Sequence, residues 1–489
     1  MVIAVLVIYM ISVIAIGWYM KSRVHNETDY LAAGGKLGVW VGGATLAATQ
    51  MSAGTAIGSV GFHYQVGYNY SWIWISIWAS WVIMALFIAP KMKSFFNTHR
   101  ALTIPDLLGT RFESNVIRVI SVIILIICFG MTIVAELVGG SYLLNVVFGL
   151  PATIGVLILA GVFILYTVLG GLFAIAYTDF LQMMIFAVGF LIAVPFAISA
   201  AGGFSVMNEK LAAIDPNIVA NGMPPGTLTA VCISFFIMMI GYPIIAIRFY
   251  SIKDNKTIRR AVGVSFIFQA IIAVSVSLLG VSARILYPNL STPDLASATI
   301  AMDLLPALLG GLLLAAILAA IQSTVSAILL MLGSGISHDI MKVVMKREMS
   351  EKQQLKVTRI VVLIMGILPI PFALNPLPLI QQIWINAAAM IGSSFAVSIF
   401  FGLYWKRATT AGAITSMVGG IVSAVIWLWL GNPFGIEAVY ISVPISLLSM
   451  IIVSLLTKPV SRKALEPFFK DVGSTPSNET VMNYSKKPL

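Results

Sequence analysis

Residues 42–61 read Gly-Gly-Ala-Thr-Leu-Ala-Ala-Thr-Gln-Met-Ser-Ala-Gly-Thr-Ala-Ile-Gly-Ser-Val-Gly, small residues dotted with hydroxyls and one amide, without a Lys, Arg, Asp or Glu. They sit in an apolar segment, 38–62, long enough to cross a hydrocarbon core about 30 Å thick as a helix. A second segment, 227–247, is apolar but interrupted by Gly241-Tyr242-Pro243, and proline both removes a backbone donor and obstructs the preceding turn. Taken singly, each segment also fits a reading in which small residues merely let helices pack closely. The two stand five segments apart. Breaks at corresponding places of two five-helix halves predict an inverted repeat with a binding site where the breaks meet near the midplane.

The rest of the chain has the same character. Of 489 residues, 59% are hydrophobic and 10% charged, and the mean hydropathy is +1.00, which excludes an ordinary soluble globular protein. Spans are expected at 2–20, 38–62, 69–90, 115–147, 151–168, 172–200, 227–247, 258–283, 302–336, 357–375, 379–404, 409–430 and 437–457, about thirteen helices of an all-α membrane protein. The fourth and ninth are longer than one crossing needs, so tilt or extension into water is expected there. The net charge of +11 invites a nucleic-acid reading, but the charges mark one membrane face instead. With the N-terminus outside, all but two of the 29 Lys and Arg, Lys210 and Arg284, fall on the inner side. That asymmetry predicts an N-out, C-in protein. The first apolar stretch has no basic residues before it and Lys21 and Arg23 after it, the pattern of a retained helix rather than a signal peptide.

No hydrophilic segment is long enough to bury a core of its own, which disfavours a fused sensor module. Cys128 and Cys232 fall within spans and read as small buried residues, and His25, His63, His99 and His338 lack metal-ligand spacing. No metal site built on His or Cys and no cofactor is expected. With no His cluster or nucleophile-base pairing of the usual kinds, neither is an enzyme.

Three places can carry chemistry. In Ala319-Ala-Ile-Gln-Ser-Thr-Val-Ser326, positions 320, 323 and 324 share one helical face, so a carbonyl and two hydroxyls can converge on a hard cation such as sodium. The same hydroxyls also fit simple back-bonding to carbonyls of their own helix. Asp179 and Glu136 are carboxylates inside spans, which cost several kcal/mol in hydrocarbon and need a partner or an ion. For Asp179 an ion or gating role and a structural hydrogen-bonding role both remain open.

Several of these segments resemble the sodium/solute symporters, the family of bacterial proline, pantothenate and sialic-acid transporters and of the sodium/glucose cotransporters. The resemblance is carried by Ala48-Thr-Gln-Met-Ser-Ala-Gly54, Gly170-Gly-Leu-Phe-Ala-Ile-Ala-Tyr-Thr-Asp-Phe-Leu-Gln182, Gly241-Tyr-Pro243 with Arg248-Phe249, and Ala319–Ser326. Gly402-Leu-Tyr-Trp-Lys-Arg407 followed by Gly412-Ala413 adds to it. It implies a LeuT-type inverted-repeat core at 37–405, with an extra helix and cytoplasmic loop at 1–36, two further helices at 406–458 and a cytoplasmic tail at 459–489. It implies sodium on the carbonyls of Ala48 and Met51 and on Ala320, Ser323 and Thr324, with Asp179 and Ser326 as the place of a second ion or a gate. Ala327 stands where the sialic-acid branch carries a further serine, which argues against a second sodium. The solute pocket is expected among Gln50, Ser52, Thr55, Glu136, Tyr142 and Tyr242.

The resemblance further implies a multi-pass carrier in the inner (cytoplasmic) membrane that imports a small organic solute with sodium by alternating access, with no nucleic acid and no obligate protein partner. Proline transporters carry an aspartate at the position of Gln50, and Tyr287-Pro-Asn-Leu-Ser-Thr-Pro-Asp-Leu295 looks most like the pantothenate branch, so pantothenate is the expected solute. Proline or a monocarboxylate is the alternative. A proton-coupled carrier relaying through Asp179 and Glu136, or a channel, is the rival from another class.

Overall fold

The computed structural model describes residues 1–21, 35–99, 103–220, 222–375 and 379–469. The loop around Arg23 and the tail beyond residue 469 lie outside the described residues. Every regular element among the described residues is helical, apart from one isolated bridge between Leu37 and Ile252. The main helices, in chain order, are α1 (Val2–Lys21), α2 (Val39–Gln50), α3 (54–66), α4 (72–99), α5 (Ile104–Arg111), α6 (Asn115–Phe148), α7 (Ala152–Ala200) and α8 (Pro225–Gly241). They continue with α9 (Pro243–Ser251), α10 (Asn255–Leu286), α11 (Ala307–Val344), α12 (Glu351–Ile367), α13 (Ile380–Tyr404), α14 (Thr410–Trp429) and α15 (Val439–Leu456). Ten helical stretches among the described residues are long and apolar enough to cross a membrane, and Val2–Ile16 and Ala152–Leu165 are shorter apolar helices.

One boundary differs from expectation. The spans expected at 151–168 and 172–200 form a single helix of 49 residues. Between them stand only Leu169, Gly170 and Gly171, with no proline and no polar cap to compete for the backbone hydrogen bonds, so helical bonding runs through.

Burial along α11 locates the centre of the molecule. In its most apolar 18-residue window 94% of residues are buried, against 28% in α15. Because α11 is enclosed by protein on all sides, its polar residues must find partners among neighbouring helices rather than in lipid or water. It packs on α7, α6, α1 and α2. The extra helix α1 is one-sided: Leu6, Tyr9 and Val13 are buried while Val7, Ile8 and Ile11 are exposed, the spacing of a helix laid against a bundle.

At the end of the bundle where basic residues were expected, they do more than satisfy a charge rule. Lys93 Nζ donates to the Tyr250 carbonyl at 2.8 Å, and Arg111 donates to the carbonyls of Gly402 at 2.6 Å and Trp405 at 3.1 Å. These oxygens belong to the last turns of α9 and α13, which lack intrahelical donors and face the negative end of the helix dipole. Arg118 pairs with Asp106 at 2.5 Å and lies 3.6 Å from Asp339, tying α6 and α5 to the end of α11. His338 joins this group, but the guanidinium already supplies its positive charge.

Candidate functional site

Both interrupted segments break where the residues dictate. Helix α2 ends at Gln50, and Met51 is extended (φ −81°, ψ 124°) before the chain re-enters helix at α3. The break is held from outside. The amide of Ala53 donates to Glu136 Oε2 at 2.8 Å, so a fully buried carboxylate on α6 satisfies a donor freed by the break. Gly139, one turn further on, permits this approach, since a Cβ there would lie 2.8 Å from Cβ of Ala53. In the second break Tyr242 is extended (φ −78°, ψ 104°) and Pro243 opens α9 at the helical position that tolerates a missing donor.

Where α2 ends against α11, five neutral oxygens converge. Thr324 Oγ1 donates to the Met51 carbonyl at 2.7 Å, and Ser323 Oγ lies 3.3 Å from the Ala48 carbonyl and 2.9 Å from that of Ala320. Each hydroxyl is buried and carries one proton but two lone pairs, so rotating it away from a carbonyl turns a lone pair inward. Carbonyl and hydroxyl oxygens without a formal charge suit a monovalent hard cation, and a divalent ion would lack counter-charge among them. The fold thus brings positions 48, 51, 320, 323 and 324 together.

Between the two breaks lies a small cavity lined by Gln50, Ser52, Thr55 and Ser59 from the first break, Phe235, Met238 and Tyr242 from the second, and Trp74, Gln381 and Trp384 from α4 and α13. Its free volume is about 30 Å³. Among the described residues no Lys, Arg, Asp or Glu lines it. Trp81 Nε1 donates to Gln50 Oε1 at 3.0 Å, and the buried Tyr242 hydroxyl has no hydrogen-bond partner among the described residues. Of the six residues expected in the pocket, Gln50, Ser52, Thr55 and Tyr242 line it. Glu136 does not: its carboxylate is used on the backbone of the first break, and the Trp384 indole faces it. Nor does Tyr142, which sits half-buried further along α6, toward Asp294. Trp74, Gln381 and Trp384 were not expected. Nothing in a local window separates a tryptophan facing a cavity from one facing lipid.

Asp179 lies elsewhere. Its Oδ2 accepts from Thr45 Oγ1 at 2.5 Å and from Arg248 Nη2 at 3.1 Å, while Arg248 Nε donates to Thr49 at 2.9 Å. Both charges are 1% exposed, so the pair links α7, α2 and α9 in a nearly water-free setting. Ser326 is not brought to Asp179; its hydroxyl donates to the Ser323 carbonyl at 3.0 Å. A local reading of the Tyr-Thr-Asp segment had no means of finding Arg248 as partner, 69 residues away.

An all-helical bundle with two breaks facing one another, a cavity between them and a neutral oxygen set beside it defines a membrane solute carrier. Residues 30–420 match the model of the sodium:solute symporter family, and the chain belongs to that family. It is similar to the osmoregulated proline transporter OpuE of Bacillus subtilis (28% identical over 473 residues, 94% of this chain and 96% of that protein). It is also similar to the sodium/proline symporter of Staphylococcus aureus (30% over 472 residues, 92% of each chain). Among solved structures it shares its fold with a Na+-coupled sialic acid symporter (TM-score 0.78, 21% identity, 94% of this chain and 98% of that one). The nucleobase-cation symporter MHP1 is a more distant neighbour (TM-score 0.56, 13% identity, 92% and 99%). These neighbours are LeuT-fold transporters, the fold class the sequence resemblance implied. The protein is a sodium-coupled solute symporter of the membrane and not an enzyme. The Bacillus and Staphylococcus relatives are both named for proline, which favours the alternative solute over the pantothenate expected from the 287–295 loop.

Proposed function

We propose that this symporter takes up proline, or a zwitterion of closely similar size, together with one sodium ion. The observation that carries this reading is the adjacency of Met51 and Ser52. The Met51 carbonyl belongs to the oxygen set and Ser52 lines the cavity, so ion and solute share one stretch of broken helix. The ion then organises the strand of backbone that the solute reads, which is the differential interaction coupling requires.

The cavity lining supports the choice of solute. An anion such as pantothenate would enter a chamber with no cationic side chain among the described residues, at a desolvation cost of several kcal/mol. Proline carries no net charge, and its ring suits Trp74, Phe235 and Met238, while Ser52 and Tyr242 offer hydrogen bonds to its ends. With a neutral solute one sodium moves one charge. A potential of ~100 mV (about 2.3 kcal/mol) and a tenfold gradient (about 1.4 kcal/mol) together allow roughly several-hundredfold accumulation.

The five oxygens of Ala48, Met51, Ala320, Ser323 and Thr324 are the sodium ligands in this reading. The 44-residue stretch Gly54–Asn97 is too long for one crossing and reverses at Gly67 (φ 70°, ψ −150°), so it supplies two crossings. The test is uptake of labelled proline and pantothenate into proteoliposomes under an imposed sodium gradient. Sodium-driven proline uptake that disappears in Ser323→Ala/Thr324→Ala is the expected result. Uptake driven equally by a pH gradient without sodium would overturn it.

A further inference from the structure

Beside the oxygen set, in a cleft that shares no lining residue with the solute cavity, a chain of hydrogen bonds comes in from outside the inverted repeat. Tyr9 of α1 donates its hydroxyl proton to Gln322 Oε1 at 2.7 Å, and Gln182 Nε2 of α7 donates to the same Tyr9 oxygen at 3.1 Å. A phenol has a single proton. With that proton committed to Gln322, Tyr9 can only accept from Gln182, so the nitrogen side of the Gln182 amide faces Tyr9 and its oxygen turns away.

That oxygen is the unexplained group. Gln182 is 2% exposed, and its Oε1 has no hydrogen-bond donor among the described residues. Gln182 shares one small cleft with Ala48, Met51, Ala320 and Ser323, four of the five residues whose oxygens converge. An amide oxygen buried without a donor is unfavourable, and a cleft already rich in carbonyl oxygens makes it more so. A cation among those oxygens reverses the sign of every one of these interactions.

We infer that Gln182 is a further sodium ligand, adding an amide oxygen to the five, and that Tyr9 is the positioning residue that decides which end of that amide faces the ion. The inference rests on the reading of the Ala48–Thr324 oxygen set as the sodium site. It gives α1, which lies outside the two five-helix halves, a part in ion binding: α1 packs on α7 and α11 and holds the outer end of the relay.

The experiment uses the purified full chain with sodium chloride against choline chloride, reading sodium-dependent thermal stabilisation and the sodium half-saturation of proline uptake. Gln182→Met keeps the length and removes the oxygen; it should raise the sodium half-saturation about tenfold, while the proline half-saturation at saturating sodium is unchanged. Gln182→Glu restores an oxygen and should bind sodium within about threefold of the natural protein. Tyr9→Phe should weaken sodium several-fold by freeing the amide to turn. If Gln182→Met binds sodium normally, or if Gln182→Glu is as impaired as Gln182→Met, the ligand role is overturned, the second outcome pointing to packing alone. A Tyr9→Phe protein with unaltered sodium affinity overturns the positioning role. Ser323→Ala run in parallel separates this failure from that of the sodium site itself: if it too leaves the sodium response intact, the site has been misplaced.

Discussion

Arg248→Met should be among the most damaging single substitutions in the molecule, and the structure says by how much. The guanidinium is 1% exposed, 3.1 Å from Asp179 Oδ2 and 2.9 Å from Thr49 Oγ1. Methionine matches much of the stem but leaves Asp179 as a carboxylate with only Thr45 to support it. Removing one partner of a buried pair costs about 3–5 kcal/mol, mostly the penalty of the stranded charge. Removing both charges avoids that penalty, so Asp179→Asn/Arg248→Met should recover most of the loss, leaving about 1 kcal/mol for the forfeited hydrogen bonds. The assay is unfolding in dodecylmaltoside micelles titrated with SDS, on both single variants and the double, read as a double-mutant cycle. The double variant should also keep a near-normal sodium half-saturation if the pair fastens α9 to α7 and α2 without holding an ion. Additive losses would refute the reasoning about the stranded charge. A stable double variant that has lost its sodium dependence would show instead that Asp179 handles an ion.

Other expectations follow from single contacts. Ser323→Ala and Thr324→Ala should each raise the sodium half-saturation about tenfold or more, through loss of an oxygen worth about 1.4 kcal/mol, measured by uptake at fixed potential. Gly54→Ala should cut uptake sharply, because its Cβ would clash with Trp384 Cδ1 on the cavity wall, whereas Gly38→Ala, with nothing within 4 Å among the described residues, should be tolerated. Asp294, in the connection before α11, accepts from the Ile380 amide at 3.1 Å. Burial pushes its carboxyl up from 3.8 to about 6, with the Ile380 hydrogen bond pulling part of the way back. The folded protein therefore holds this proton more tightly than the unfolded chain, and the resulting stability is present below about pH 4 and lost as pH rises through about 6. Asp294→Asn should match the natural protein near pH 4 and exceed it by up to about 3 kcal/mol at pH 7 in the same unfolding assay. A difference that does not vary with pH would exclude Asp294 as its source.

Much of the site was legible from local pattern, and the reason is periodicity. Ala320, Ser323 and Thr324 share a helical face by spacing alone, and the Gly-Tyr-Pro interruption announces a break because proline cannot continue the hydrogen-bond ladder. Other assignments failed for an equally physical reason. Glu136 reads as a pocket residue because a buried carboxylate demands a partner, but its partner proved to be a backbone amide of the broken helix, a group with no sequence signature. Likewise Asp179 demanded compensation, and a guanidinium from a distant helix supplies it. The Gly170-Gly171 pair looked like a boundary, yet glycine permits a turn without requiring one.

By itself, then, the sequence determined the solvent, the helical class, the two breaks and the oxygen-bearing faces, because each depends on hydropathy, backbone chemistry or spacing within one segment. Only the tertiary structure decided which buried polar groups meet. Glu136 at Ala53, Arg248 at Asp179 and Tyr9 between Gln182 and Gln322 are encounters between segments up to 313 residues apart. In a bilayer interior each polar group must be satisfied by another part of the protein, and which part is settled by how the helices pack, not by what any one of them contains.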